Sequence, residues 1–529
     1  MDHDETRDGA EPPVRAHGVV QPPEGLTAEQ ESAFEAAVIH AEATVVGHPG
    51  GPRYRQELSR SISVLGNVFI TLSGVTPAAS VFIIAPVALA AAGSGSFLSF
   101  VFAAIVGVFM AFCWAELSAA FPIAGGDYAL VWHSFKGRSA PLAGPVSFIT
   151  FALYADFIAF IPATIALGAG TYFGVVANID PRYIGAVIMI IAAGVAMLKI
   201  RFNAALTGAF LAIELAALLI LVILGLSHAH NWSSLVHPAV GGTHGLLTPV
   251  AFSGVLALTA VAIFSYNGYA NSVNFAEETS GTSRNVARAI LWSLVITVAA
   301  ELIPITATIV GAPSLATMTR SVVPLEYFID ATANHSLYTV VSIGIVLAIF
   351  NAVIAIVLSY GRILYSSARD RAFPGPLSRW MAYVHPNFQT PWLPTAFIGV
   401  LGAVLCLTVS LNTLVNLTGA SLVADYALIA IAALVARPMR ATAHSPYKMP
   451  FWPLPPLLAL ACLGYVFTQQ TSLLLKVTLI TMGVGLVYWA VVILPQRGRA
   501  WNLLHAATSD DPVHDGQAVR AAEAGRAGQ

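Results

Sequence analysis

The sequence predicts an all-α integral membrane protein of about twelve transmembrane helices, and three observations carry that prediction. The chain has 529 residues, of which 57% are hydrophobic and only 10% charged, against about 25% charged in an ordinary soluble domain. The apolar residues come in runs of about 20, the length that spans a hydrocarbon core as a helix, separated by short polar or Pro/Gly-rich stretches. A transmembrane β-barrel would show shorter, alternating segments instead. The first and sixth runs each carry a helix-breaking cluster at matching places in two halves of five, the pattern of a 5+5 inverted repeat with two further helices appended.

Taken in order, the spanning segments begin near Ser61, Phe97, Pro141, Pro181, Asn203, Pro249, Ser283, Ser336, Pro391, Asn412, Pro453 and Thr471. Residues 1–57 and 496–529 are polar and read as cytoplasmic, mostly disordered tails, with a possible short helix around Ala28 to Val46; residues 58–495 form the membrane domain. The N-terminus has neither the basic start nor the apolar stretch of a cleavable signal, so the first spanning helix is expected to do the targeting.

Orientation follows from the basic residues, which accumulate in cytoplasmic loops. Alternate connections hold Lys136 and Arg138, Lys199 and Arg201, Arg284 and Arg288, Arg369, Arg371 and Arg379, then Arg437, Arg440 and Lys448, with Arg497 and Arg499 after the last segment. The opposite connections offer only Arg182, Arg320 and Lys476. Both termini are therefore expected in the cytoplasm, on the inner face of the cell (inner) membrane.

The first segment contains Leu72-Ser73-Gly74-Val75-Thr76-Pro77-Ala78-Ala79-Ser80, and the sixth Ser265-Tyr266-Asn267-Gly268-Tyr269-Ala270-Asn271. Proline removes a helical hydrogen bond and glycine tolerates unusual dihedrals, so both helices are expected to open at mid-membrane. Freed backbone groups survive at that depth only where they line a cavity or are buried in protein. Asn271 follows Asn267 by about one helical turn, so the two share a face or line the opened stretch, and Asn274 lies just beyond.

Ionisable groups at membrane depth are costly and default to functional hypotheses. Asp156, Glu214, Glu301 and Asp425 are the candidates, all acidic and with no basic residue expected at comparable depth. Such carboxyls suit proton binding and release, and an amine solute would be their natural counter-ion.

Other function classes find little support. The formal net charge of −2 gives no electrostatic footprint for nucleic acid. No phosphate cradle of the Gly-x-x-x-x-Gly-Lys-Ser/Thr kind occurs, and no His-Glu-x-x-His, so neither an ATP-driven pump nor a membrane enzyme is expected. His228, His230, His237 and His244 sit on one loop without Cys or acidic partners at ligand spacing and read as surface, so no metal and no cofactor are expected. Cys113, Cys406 and Cys462 fall within apolar runs and read as small buried hydrophobes. A non-transporting sensor would need a folded signalling domain, for which the tails are too short and too polar.

Three blocks resemble the amino acid–polyamine–organocation (APC) permeases. Glu116-Leu117-Ser118-Ala119-Ala120-Phe121-Pro122-Ile123-Ala124-Gly125-Gly126-Asp127-Tyr128 is similar to that family's pattern at the end of the second helix. Phe264-Ser265-Tyr266-Asn267-Gly268-Tyr269, followed by Glu277-Glu278 and by Arg284 to Ile290, resembles the sixth helix and its exit. Leu364 to Pro374, with His385-Pro386 and Thr390-Pro391 after it, resembles the end of the eighth. The resemblance runs from about residue 60 to 495 and implies the LeuT-type fold of five plus five helices with two more.

It further implies an alternating-access permease for amino acids or related amines, coupled to protons by symport or working as an exchanger, as a monomer or homodimer. A substrate carboxylate would meet the backbone near Ala78, Ala79 and Ser80, beside Gly74 and Pro77. The amino group would meet carbonyls near Phe264 and Asn267, with Gly268 and Asn271 in the same break and Asp156 approaching from the third helix. Phe264 takes the place of the family's gating aromatic. Where the family has Gly-x-Gly in the first break this chain reads Ala78-Ala79-Ser80, and where many proton-coupled members place a lysine in the fifth helix it has Glu214. Glu116 is expected to be a structural helix-end contact.

Overall fold

A computed structural model describes residues 62–503, apart from 124, 136–139, 178, 199, 243–244, 277–278, 322, 334, 386–389, 497–499 and 502. The expectations for both tails and for Lys136, Arg138, Lys199, His244, Glu277, Glu278, Pro386, Arg497 and Arg499 lie outside the described residues.

Among the described residues eight helical runs are long and apolar enough to cross a bilayer, and Pro181–Ala196, Trp392–Thr408 and Leu454–Thr468 are shorter apolar helices. The first of the eight, Val64–Ala120, has 57 residues; as one straight helix it would reach about 85 Å. It is interrupted at Gly93–Gly95, a short 3-10 turn in which Gly93 has φ 55°. Side chains such as Val187, Leu219, Ile223, Ile480 and Val487 are exposed on the outer helix faces. That is the pattern of a protein whose outer solvent is lipid.

The first run starts as α1, Val64–Val75, with the Ser63 hydroxyl accepting from the Gly66 N–H as an N-cap. The chain breaks at Thr76, which adopts the left-handed conformation with φ 57°. Pro77 favours a break here, since the residue before a proline is disfavoured in the right-handed helical region and proline is suited to open the next helix, although the left-handed turn at a β-branched Thr76 goes beyond that preference. Helix resumes as α2, Pro77–Ala79, widens into a π-turn over Ser80–Ile84, and continues as α3, Ala85–Ala92.

The next helices are α4 (Ser96–Ala120), α5 (Asp127–Ser134), α6 (Ala140–Ala177), α7 (Pro181–Ala196) and α8 (Ile200–Ser227). A two-stranded antiparallel ribbon, β1 (Ala239–Gly241) with β2 (Leu247–Pro249), comes after them and was not expected from the sequence. It packs on the Gly93 turn, where Ser94 and Ala239 exchange hydrogen bonds through the serine hydroxyl. The sixth run then enters as α9 (Phe252–Ala257) and α10 (Thr259–Tyr266). It breaks at Asn267 and at Gly268, φ 110°, and resumes as a 3-10 helix over Tyr269–Phe275.

The remainder comprises α11 (Arg284–Gly311), α12 (Leu315–Arg320), α13 (Pro324–Thr332), α14 (His335–Arg369), α15 (Pro376–Met381), α16 (Trp392–Thr408), α17 (Leu411–Ala436), α18 (Leu454–Thr468) and α19 (Ser472–Tyr488). Small residues let these helices approach closely, as expected where lipid tails supply no hydrophobic drive between helices. At the crossing of α8 and α11 a Cβ added to Gly225 would sit 2.3 Å from the Ala307 carbonyl oxygen, so only glycine fits.

The two broken helices lie side by side, pinned by polar contacts. Asn67 Nδ2 donates to Thr279 Oγ1 at 2.8 Å, the Thr71 and Ser272 hydroxyls are 2.9 Å apart, and the Ser80 hydroxyl donates to the Ser265 carbonyl oxygen at 2.7 Å. A Cβ on Gly268 would stand 3.2 Å from Val75 Cα, so the second break abuts the end of α1.

Candidate functional site

Between the two breaks is a small cavity. Its wall takes Gly74, Val75, Thr76, Ser80 and Ile84 from the first run and Phe264, Ser265, Asn267 and Asn271 from the sixth. Ile161 and Ile165 on α6 and Ile356 and Tyr360 on α14 complete it. The space amounts to about 20 Å³, room for about one water molecule. A larger solute therefore enters only when the surrounding helices move.

Both breaks expose helix C-termini to this space. The carbonyls that end α1 and α10 lack onward helical partners, and helix C-termini carry partial negative charge. Some are engaged: the Ser265 carbonyl oxygen accepts from Ser80, and the Phe264 carbonyl oxygen from the Asn267 N–H at 3.1 Å. The Asn267 side-chain oxygen accepts from the Tyr426 hydroxyl at 3.1 Å, tying the sixth break to α17.

Two carboxyls stand behind the wall. Glu214 on α8 is buried, and its Oε1 accepts from the Ala78 N–H at 2.6 Å. Glu301 on α11 is buried too; its Oε2 accepts from the Ser265 hydroxyl at 2.7 Å, and the Ser80 hydroxyl lies beside the same carboxyl. Glu214 thus touches the first broken run, and Glu301 lies beside both.

The structure brings some of the sequence-predicted residues to the cavity and places others elsewhere. Gly74, Ser80, Phe264, Asn267 and Asn271 line it, whereas Pro77, Ala78 and Ala79 are buried just behind and Gly268 packs on Val75. Asp156 is half-buried and faces α17 and α19, accepting from the Ser421 hydroxyl at 2.9 Å and the Thr481 hydroxyl at 3.4 Å. Asp425 is buried against Asp127, which accepts from Trp114 Nε1 at 2.7 Å and from the Tyr154 hydroxyl at 3.2 Å.

The sequence reading did not single out Thr76, Tyr360 or the Asp127–Asp425 juxtaposition. Arg362, near the end of α14, is buried as well, with its guanidinium over the Phe275 ring and Nη1 donating to the Leu358 carbonyl oxygen. Polar residues scattered along helices that are apolar all round give no facing information, so only Thr76, as the residue before Pro77, carried a usable signal.

Away from the cavity, Glu116 is held as a structural clasp. Its two oxygens accept from Arg437 Nε at 2.8 Å and Nη2 at 2.7 Å, from the Thr442 hydroxyl at 3.0 Å and from the Met449 N–H at 2.9 Å. His228, His230 and His237 are partly or largely exposed and bond to backbone carbonyls. No group of His, Cys, Asp and Glu among the described residues is placed to hold a metal ion.

Comparison with known proteins agrees with this architecture. The family described as Amino acid permease matches residues 62–494. Among curated proteins the chain is similar to the methylthioribose transporter of Bacillus subtilis, with 23% identity over 433 residues, covering 78% of this chain and 89% of that protein. It is likewise similar to the branched-chain amino acid permease BcaP of the same organism, at 22% identity over 417 residues covering 75% and 85%. Cationic amino acid transporter 4 of Homo sapiens shares 27% identity over 398 residues, covering 72% of this chain and 60% of that protein. The chain belongs to the amino acid permease family and is a multi-pass membrane transporter.

Proposed function

We propose that the protein moves an amino acid or a related amine across the cell membrane by alternating access, with the cavity between the two helix breaks as the solute site. The observation that carries this reading is the cavity itself. It is polar on the faces contributed by both breaks, lined also by the rings of Phe264 and Tyr360, and too small for a solute until the helices part.

In this reading residues 58–495 form the transporter domain. Dividing the long first run at Gly93–Gly95 and adding the three shorter apolar helices to the eight long ones gives twelve spans. Matching breaks in the first and sixth support a five-plus-five inverted repeat with two appended helices. The alternation of basic loops supports cytoplasmic termini.

Gly74, Ser80, Phe264, Asn267 and Asn271 contact the solute, while Pro77, Ala78, Ala79 and Gly268 shape the breaks. Glu214 and Glu301, each one contact from a break, serve the coupling proton, which makes symport the preferred mode; Asp156 and Asp425 are further relay candidates. Exchange is the alternative mode. The names of the relatives extend from branched-chain and cationic amino acids to methylthioribose, so a solute without an amino group is a second reading.

The test is uptake by purified protein in liposomes, using labelled neutral, acidic and basic amino acids, simple amines and methylthioribose, with and without an inward proton gradient. Gradient-driven accumulation of an amino acid or amine supports symport. Uptake that requires internal unlabelled solute assigns exchange, and accumulation of methylthioribose alone overturns the amino acid or amine reading.

A further inference from the structure

Between the cavity and the cytoplasmic side is a second buried polar group, built around two carboxyls. Asp127 opens α5, just past the end of α4, and Asp425 is near the middle of α17. Both are buried, and their side chains are hydrogen-bonded to each other. Trp114 Nε1 donates to Asp127 Oδ1 at 2.7 Å and the Tyr154 hydroxyl to Oδ2 at 3.2 Å. On the orientation given by the basic loops, α6 enters from the cytoplasm. It reaches Tyr154 seven residues before the cavity residue Ile161, a rise of about 10 Å.

A hydrogen bond between two carboxyls needs a proton on one of them, because carboxylates only accept. Two buried negative charges in contact are strongly disfavoured without a counter-ion, and no Lys, Arg or His among the described residues pairs with either group. The titratable side chains facing the pair are Tyr154 on α6, Tyr269 on the sixth run, Tyr360 on α14 and Tyr426 on α17, phenols that bring no positive charge. Cys113 on α4 lies near Tyr269, with Glu116 beyond it already matched by Arg437. Asp156 is turned to Ser421 and Thr481, and the Arg362 guanidinium to the Phe275 ring.

The pair is wired to the cavity. The hydroxyl of Tyr426, the residue after Asp425, donates to Asn267 Oδ1, and Asn274 Nδ2 reaches Asn271 Oδ1 at 3.4 Å; Asn267 and Asn271 both line the cavity. Asp425 Oδ1 and Asn274 Oδ1 are buried acceptors without a hydrogen-bond partner among the described residues. Asn274 Oδ1 is 3.0 Å from the point a Cβ on Gly126 would occupy, and the Tyr154 hydroxyl is 3.6 Å from the same point, so this acceptor stands at the edge of the carboxyl group's own surroundings. Unmatched buried acceptors are costly, and these two give a proton leaving the pair a next place to bond.

We infer that Asp127 and Asp425 share one proton while the cytoplasmic side of the cavity is closed, and that opening this side releases it to the cytoplasm. The O–H bond of the acid breaks, the proton passes to cytoplasmic water, and two separated, hydrated carboxylates remain. Aspartates in water are ionised at neutral pH, so the closed state holds one proton more than the inward-open state. Raising the cytoplasmic pH therefore favours opening and lowering it favours closure, by up to about tenfold per pH unit. This rests on the alternating access proposed above and deepens it: Asp425 acts only together with Asp127, at a proton site apart from Glu214 and Glu301.

Infrared spectroscopy of the purified protein reads the proton. Asparagine has the shape of a protonated aspartate, so Asp127→Asn and Asp425→Asn keep the buried hydrogen bond. Each is expected to lose one carboxylic acid band, and the double variant to lose no more than either single one. Two acid bands lost one after the other, or none lost at all, overturn the inference. Opening is read in protein that lacks the three native thiols and carries Asn271→Cys, labelled by an impermeant reagent from each side of the membrane. The ratio of cytoplasmic to outer labelling cancels the ionisation of the thiol itself. Between about pH 6 and pH 8 this ratio should rise with pH when the pair is intact, by up to about tenfold per unit, and less steeply in Asp127→Asn. Equal slopes overturn the release step, and a ratio that stays flat with the intact pair does so even if no variant folds. Labelling from one side alone at every pH brings down the alternating-access reading instead, and the infrared bands then still decide the shared proton.

Discussion

Three buried glutamates divide the molecule into two kinds of region. Glu116 receives four hydrogen bonds, two of them from Arg437. Glu214 has one backbone donor on Oε1, and its Oε2 has no hydrogen-bond partner among the described residues, while Glu301 takes its bonds from hydroxyls. A buried carboxylate fully matched by a guanidinium is fixed in place, and losing either partner is costly. A carboxyl held by a single N–H or by hydroxyls can exchange its partners. The first arrangement clamps a helix end, and the second sits where the helices break and where the proposed transport cycle requires movement.

Breaking the clasp gives the largest expected effect. Arg437→Ala strands Glu116 with only Thr442 and Met449 and should destabilise the protein by roughly 3–5 kcal/mol, read as loss of monodisperse protein on mild heating in detergent. Stability within 1 kcal/mol of wild type, by the measure of ~1.4 kcal/mol per tenfold, would dissolve the contrast.

Gly268→Val comes next. It forces a branched residue into φ 110° and places Cβ against Val75. The strain is worth about 1–3 kcal/mol, and uptake should be abolished in protein that still folds. Ser265→Ala removes the hydroxyl on Glu301 Oε2 and should cost about 1–3 kcal/mol, measured by the same heating assay. The smallest effect is expected for Glu214→Gln, because the amide oxygen still accepts from Ala78; its cost should stay under about 1 kcal/mol. Glu116→Gln, which removes the charge facing Arg437, should cost clearly more than Glu214→Gln, and an equal or smaller loss would contradict the division.

Much of the scaffold was legible in the sequence. Phe97, Pro181, Ser283, Pro391, Asn412, Pro453 and Thr471 were expected helix starts, and each lies within one residue of a start in the structure. Pro, Gly and polar residues at the edges of apolar runs mark those boundaries. The breaks were legible for the same reason, since Pro77 disfavours helix at the residue before it and Gly268 can take a positive φ that side chains rarely allow.

What the sequence withheld was facing. Glu214 and Ala78 are separated by 136 residues, and Asn267 and Tyr426 by 159. Their contacts depend on how apolar helices rotate against one another, which hydropathy does not encode when every face is apolar. Asp156 illustrates the cost: placed in the third helix, it was expected at the solute site, and the rotation of α6 turns it toward Ser421 and Thr481. The β1–β2 ribbon was missed because its strands are three residues long and gain their order from packing on the Gly93 turn.

The most direct test of the central claim is access to the cavity from the two sides of the membrane. Cys113, Cys406 and Cys462 are the three native thiols, and a background lacking them would carry Asn271→Cys alone, at a half-buried wall position. The account predicts that an impermeant thiol reagent applied from either side labels this cysteine, that labelling stops uptake, and that saturating solute protects against it. Labelling confined to one side under all conditions, or labelling that leaves uptake intact, would show that the space between the two breaks is not the transport site.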